Sequence, residues 1–231
     1  MKSEIKAALV ILAAGSGTRF GQPTNKVWLD LAGQTIIARS LTNAANGFAN
    51  SRLVLVINPD DEATAKHIVA TELSQLKVEI IFGGATRHES EFNALQYLAP
   101  QITAGEIDVV LIHDGARPLA QPDLFVEIAQ AALDCGGAIP TIDVNQREMD
   151  TERAENVTRV QTPQGYVAAQ LLDAYNKALV DSFVGTDTAG CMEKYYPKIT
   201  TKAVAGDIFN LKITYPQDLL IAAKVLARIG K

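Results

Sequence analysis

The chain has 231 residues, a net charge of −5 and a sequence pI near 5.3, and 48% of its residues are hydrophobic. That supplies the core of a single α/β domain over 1–231 and excludes a disordered chain. The acidic balance argues against a general nucleic-acid or anionic-membrane binder. No stretch is apolar enough to span a bilayer, and no signal-peptide core precedes the first strand, so a cytoplasmic protein is expected.

Apolar, β-branched runs predict strands at 7–12, 53–57, 78–81, 109–112, 137–141 and 200–204. Helix-period runs lie between and after them, at 35–45, 62–75, 90–98, 121–133, 168–179, 186–195 and 216–229. This alternation predicts a mainly parallel sheet covered on both faces, with ligands outside the carboxyl ends of its strands. The two cysteines, Cys135 and Cys191, match no metal-ligand spacing and read as a reduced pair.

The first run leads into Leu12-Ala13-Ala14-Gly15-Ser16-Gly17-Thr18-Arg19-Phe20-Gly21, followed by Lys26. A glycine-rich turn there lets backbone N–H groups close around phosphates, and two cations follow at once. A dinucleotide fingerprint fails because Gly21 is one place late and no helix follows directly. A Walker loop fails because Lys26 stands between Asn25 and Val27. The nucleotidyltransferase signature, Leu-Ala-Ala-Gly-x-Gly-x-Arg and then a lysine, fits at every position. The plain alternative is a surface loop.

After the third run come Gly83-Gly84-Ala85-Thr86-Arg87-His88-Glu89-Ser90 and Asn93. Paired glycines permit close approach to a planar base. Ser90 can bond a base edge or cap the following helix. The fourth run ends in His113-Asp114-Gly115-Ala116-Arg117-Pro118. A buried strand ending in an aspartate suits Mg²⁺, which takes one or two carboxylates plus phosphate oxygens, so Asp114 is the expected ligand. Arg117 either braces Asp114 or reaches phosphate. His113 reads as a hydrogen-bonded core residue rather than a ligand.

Further on, Thr162-Pro163 opens a turn or helix with a free hydroxyl, and Thr186 is placed to cap a helix beside Asp187. Lys212, in an apolar run before Pro216, is an outward strand lysine or a phosphate contact.

These six segments occur together in the order of the 2-C-methyl-D-erythritol 4-phosphate cytidylyltransferase family, which the chain resembles over 7–220. Ribitol-5-phosphate cytidylyltransferases share most of them. The resemblance implies a Rossmann-like, mostly parallel twisted sheet of the nucleotide-diphosphosugar transferase type. It implies an Mg²⁺-dependent transfer of CMP from CTP to a sugar-alcohol phosphate, releasing pyrophosphate, in isoprenoid precursor biosynthesis. By this resemblance Arg19 and Lys26 neutralise the triphosphate and transition state, and Lys212 joins them at the α-phosphate. Ala13, Ala14, Gly84 and Ser90 contact the nucleotide, with Gly15 and Gly17 in its loop. Thr162 and Thr186 lie near the acceptor, with Arg117 and Arg153 as further contacts, and Asp114 holds the metal.

The chain departs from the family in having Asn25 before the lysine and Val27 after it. A larger departure lies at 141–160, where the family's projecting β-arm looks about ten residues short by loop-length reasoning. Its Asp-Thr-x-Lys is missing, and Arg153 is one position out of register, with Arg147 and Arg159 as substitutes. The expectation is intact CTP and metal binding, altered acceptor recognition, and doubt over the family's usual homodimer. Competing functions are transfer to another polyol phosphate such as ribitol 5-phosphate and a non-catalytic nucleotide-binding protein of the same fold. An NAD(P) oxidoreductase loses on glycine spacing.

Overall fold

A computed structural model describes residues 3–15, 25–143 and 158–229. In chain order these form β1 (Ala7–Leu12), α1 (Ile36–Asn46), β2 (Ser51–Ile57), α2 (Glu62–Glu72), β3 (Val78–Phe82), α3 (Arg87–Thr103), β4 (Val109–Asp114) and α4 (Pro122–Cys135). There follow β5 (Gly136–Asp143), β6 (Thr158–Val160), β7 (Gln164–Val167), α5 (Ala168–Val180), α6 (Thr188–Tyr195), β8 (Thr200–Ala205) and α7 (Pro216–Ile229).

The strands make one sheet in the order β3-β2-β1-β4-β7-β5-β6, with β8 also on β5. β3, β2, β1 and β4 run parallel, as does β8 on β5, whereas β7 joins β4 and β5 antiparallel and β6 joins β5 antiparallel. The sheet is therefore mixed, mostly parallel, with its antiparallel part confined to the second half.

Alternation along β1 explains why both faces are covered. Ala7, Leu9 and Ile11 point into one buried cluster with Leu41 of α1 and Phe125 and Ile128 of α4. Ala8 and Val10 point into the opposite cluster with Leu95 of α3, Leu171 of α5 and Met192 of α6. A third cluster seats α7, through Ala222 and Val225, on Leu31, Ile36 and Ile213. α4 starts at Pro122 and ends at Gly136, whose φ of 97° is the left-handed conformation glycine tolerates at a helix end.

Several boundaries differ from the pattern reading for local reasons. α3 starts three residues earlier than expected because Thr86, not Ser90, is its N-cap, its hydroxyl accepting from the Glu89 N–H at 3.1 Å. The helix also continues past Pro100, and the buried Ile102 reaches the core from that last turn. α6 is capped by Asp187 rather than Thr186, with Asp187 Oδ1 accepting from the Gly190 N–H at 2.9 Å. β7 escapes the pattern reading because four residues after a Thr-Pro pair look like a turn. Both cysteines are free, and burial pushes the Cys191 thiol up to about 12. Among the described residues no helix is long and apolar enough to cross a membrane.

Candidate active site

The loops after β1, β3 and β4 meet at the carboxyl edge of the sheet around a cavity of about 460 Å³. That volume lies within the range of small-ligand sites. The end of β2 ties two of these loops together: Val56 C=O accepts from the Ala13 N–H, and Ile57 C=O from the Gly83 N–H, each at 2.8 Å. A methyl group on Gly83 would sit 2.6 Å from Ala14 Cβ and 2.7 Å from Ser90 Oγ, so only glycine fits there. Ser90 Oγ accepts from the Gly84 N–H at 3.1 Å and donates to Thr86 C=O at 2.9 Å, which shapes the turn from inside the helix.

Asn25, one of the departures from the family pattern, has a local task. Its Nδ2 donates to Ala13 C=O at 2.8 Å, and its Oδ1 caps the 3-10 turn Lys26–Trp28. A proline at this position could make neither bond. Lys26, only 9% exposed, is thereby placed on the cavity wall.

Asp114 ends β4 in register with Leu12 of β1. Three cations surround its carboxylate. Arg87 Nη1 pairs with Oδ1, while Lys212 Nζ lies 2.9 Å and Arg117 Nε 3.4 Å from Oδ2. Burial pushes the carboxyl upward, but the charges of Arg87, Lys212 and Arg117 outweigh it and hold Asp114 well below the usual carboxylate range. The segment carrying Lys212 is not a strand. It is tied to the β4 turn by the Ile213 N–H to Ala116 C=O at 2.8 Å and by Arg117 Nη1 to Asn210 C=O at 2.7 Å.

Beneath Asp114 lies a second layer. The Asp114 N–H donates to Thr162 Oγ1 at 3.0 Å, and Thr162 Oγ1 is 3.0 Å from His113 Nδ1. Arg117 C=O, 3.3 Å from Nε2, can only accept, which assigns the ring hydrogen of the neutral imidazole to Nε2 and leaves Nδ1 to accept the one proton of Thr162. His113 is fully buried against Phe125, and that burial first of all holds its imidazole down at about 4. His113 is thus the hydrogen-bonded core residue its pattern implied.

Of the residues expected from sequence, Ala13, Ala14, Gly15, Lys26, Gly84, Ser90, Asp114 and Lys212 share the cavity wall. Arg117 braces Asp114, and Thr162 sits below it with its hydroxyl engaged rather than free. Thr186 is exposed on the loop before α6, where Gly185 N–H meets His88 Nδ1 at 3.4 Å. Arg159 is exposed in β6. Gly17, Arg19, Arg147, Arg153 and most of the arm region lie outside the described residues. Sequence reasoning assigned no role to Arg87, although Arg87 and Glu91 four residues on are a helical ion-pair signal.

The cavity thus gathers Lys26, Arg87 and Lys212 against one carboxylate in a chain that is acidic overall. It suits a polyanion. The 2-C-methyl-D-erythritol 4-phosphate cytidylyltransferase model matches residues 7–228. The chain belongs to that family. Two relatives carrying the family name, from Bacillus mycoides and Geobacillus kaustophilus, are each 34% identical, covering 94% of this chain and 96% of theirs. Among solved structures, 4-diphosphocytidyl-2C-methyl-D-erythritol synthase from Anaerococcus prevotii is 26% identical at a TM-score of 0.77, covering 97% of this chain and 99% of that one. The cytidylyltransferase from Thermus thermophilus is 28% identical at 0.70, covering 98% and 100%. As a member of the cytidylyltransferase family the chain is a nucleotidyltransferase with the family's mixed, mostly parallel sheet.

Proposed function

We propose that the cavity binds CTP and that the protein transfers CMP to 2-C-methyl-D-erythritol 4-phosphate, releasing pyrophosphate, as a step of isoprenoid precursor synthesis. The observation that carries this reading is the convergence of Lys26, Lys212 and Asp114 with the Gly84–Thr86 turn on one cavity. An acceptor phosphate oxygen forms the new bond to the α-phosphorus as the bond to the β-phosphate oxygen breaks. Such a reaction calls for positioning and charge stabilisation rather than covalent catalysis. Lys26 and Arg19 neutralise the triphosphate, and Lys212 stabilises charge at the α-phosphorus. Ala13, Ala14, Gly84 and Ser90 form the wall for the cytidine, with Gly15 and Gly17 in the phosphate loop.

Among the described residues no three His, Cys, Asp or Glu side chains cluster as a resident metal site. The buried carboxylate on the cavity wall has Arg87 on Oδ1 and both Lys212 and Arg117 on Oδ2. Oδ1 therefore keeps a lone pair for magnesium that takes phosphate oxygens and water as its other ligands. Asp114 would hold it, and the ion would supply further charge neutralisation on the phosphates. Thr186 and Arg153 serve the acceptor, with Arg117 and Thr162 acting through the Asp114 turn. The shortened arm alters acceptor recognition and weakens the family's usual homodimer. The protein works as a single-domain enzyme in the cytoplasm.

The test is to incubate the purified protein with CTP, Mg²⁺ and a panel of polyol phosphates and follow pyrophosphate release. Turnover with 2-C-methyl-D-erythritol 4-phosphate is expected. Turnover confined to ribitol 5-phosphate would move the acceptor assignment, and no turnover with any acceptor would leave a nucleotide-binding protein. A tight dimer swapped through its arms would overturn the reading of 141–160.

A further inference from the structure

The transfer chemistry gives no task to Arg87, yet it pairs with Asp114 from the first turn of α3. Its Nε donates to Glu91 Oε1 at 2.8 Å, one turn further on, while its Nη1 meets Asp114 Oδ1. Glu91 is fully buried, and its second oxygen accepts from the Tyr175 hydroxyl on α5, also fully buried. The Tyr175 ring stacks on His88 with centroids 4.6 Å apart. Burial pushes the Glu91 carboxyl up, and the neighbouring Arg87, Tyr175 and Thr188 act against that. A carboxylate withdrawn from water is costly unless donors hold it in place. Arg87 on the cavity wall could have been solvated; the fold instead buries an anion that fixes its direction.

The consequence falls on Asp114. Its Oδ1 belongs to Arg87, which leaves Oδ2 for Lys212 and Arg117. The five side chains carry three positive and two negative charges, so Asp114 is shared between cations on both sides. The Lys212 side chain is 38% exposed and lines the cavity. Lys212 Nζ already meets Asp114 Oδ2 at 2.9 Å, so without Arg87 the less compensated carboxylate would hold that ammonium more tightly.

The geometry points to Arg87 as a positioning residue. Anchored through Glu91 and Tyr175, it takes a share of the Asp114 charge, so that Lys212, paired with Oδ2 on the cavity wall, is held loosely enough to turn to the triphosphate. This rests on the cytidylyl-transfer reading, and turnover of the unaltered enzyme tests that reading separately.

Two variants probe the anchor. Tyr175→Phe removes one hydroxyl. The double variant Arg87→Gln/Glu91→Gln removes both charges together, which avoids leaving either one buried alone. The double variant is expected to lose about tenfold in kcat, the scale for removing an outer hydrogen-bonding partner, with KM for CTP changed by less than about twofold. Tyr175→Phe is expected to move kcat in the same direction by less. In a Lys212→Ala background neither variant should lower single-turnover rates further, because the effect passes through Lys212. A second readout needs no turnover: acylation of Lys212 by a lysine-selective reagent, quantified by mass spectrometry, should slow in the double variant. Losses that are equally large without Lys212, or Lys212 labelling unchanged from the unaltered protein, would overturn the proposal.

Discussion

Replacing His113 with asparagine will flatten the acid side of the stability curve. In the folded chain His113 faces Asp114, Arg117, Thr162 and Phe125. Burial first of all holds its imidazole at about 4, against 6.5 for a free one, with the Asp114 charge opposing the shift and Arg117 adding to it. Between those values the unfolded chain takes up a proton that the folded chain refuses. Stability therefore rises with pH and is lost as pH falls from about 6.5 to about 4. Over the whole interval this amounts to about 3 kcal/mol, and between pH 7 and 4.5 to about 2 kcal/mol.

Two neighbours titrate differently. Glu91, raised by burial, contributes with the opposite sign above the ordinary carboxylate range. Asp114, held low by its cations, loses its contribution only as pH falls below about 3.8. Both groups persist in the variant, so the difference between the two proteins isolates His113. Urea unfolding followed by the fluorescence of Trp28, the single tryptophan, measures it. The variant starts less stable at pH 7, and the gap should narrow by about 2 kcal/mol by pH 4.5. Parallel curves for the two proteins across this range would refute the account of His113 as a neutral, buried hydrogen-bonding group.

Lys26→Ala should lower turnover by at least about a hundredfold, the scale for removing one preorganised charge-stabilising donor, and Arg19→Ala should do the same. Near-normal pyrophosphate release in either variant would refute the assigned role. Gly83→Ala should cost about 1–3 kcal/mol in urea unfolding, because its methyl group meets Ala14 Cβ at 2.6 Å and Ser90 Oγ at 2.7 Å. It should also raise KM for CTP, and an unchanged KM would detach that wall from the nucleotide. Thr162→Val leaves the Asp114 N–H without its acceptor, so calorimetry should register a loss of about 1–3 kcal/mol. Stability equal to that of the unaltered protein would show the bond to be dispensable.

The first half of the fold is legible because β1, β2 and β4 are near-continuous apolar runs separated by clear helical periodicity. β7 is not, since its pairing with β4 and β5 is fixed by contacts far away in sequence, which a four-residue segment cannot announce. The same division holds in the site. Lys26 and Asp114 can be read from motifs that sit at strand ends. The family resemblance puts Thr162 near the acceptor, and its own motif offers its hydroxyl no partner; its partners, the Asp114 N–H and His113, come from another strand. Lys212 sits in an apolar run suited to a strand, but the bonds to Ala116 and Asn210 hold that run as a loop against β4. Asn25 looks like a loss relative to the family pattern until the Ala13 carbonyl is seen beside it.

The end of β2 reaches further than its modest sequence implies. The two loops that face each other across the cavity both hang from its last carbonyls, those of Val56 and Ile57. The gap between them is therefore a dimension of the sheet rather than a choice of side chains. An effort to enlarge the pocket for a purine by trimming Ala14 or Ser90 would leave that gap intact. Widening it means shifting a strand buried in both cores, so base preference in this protein should resist point-by-point redesign and yield only to grafted loops.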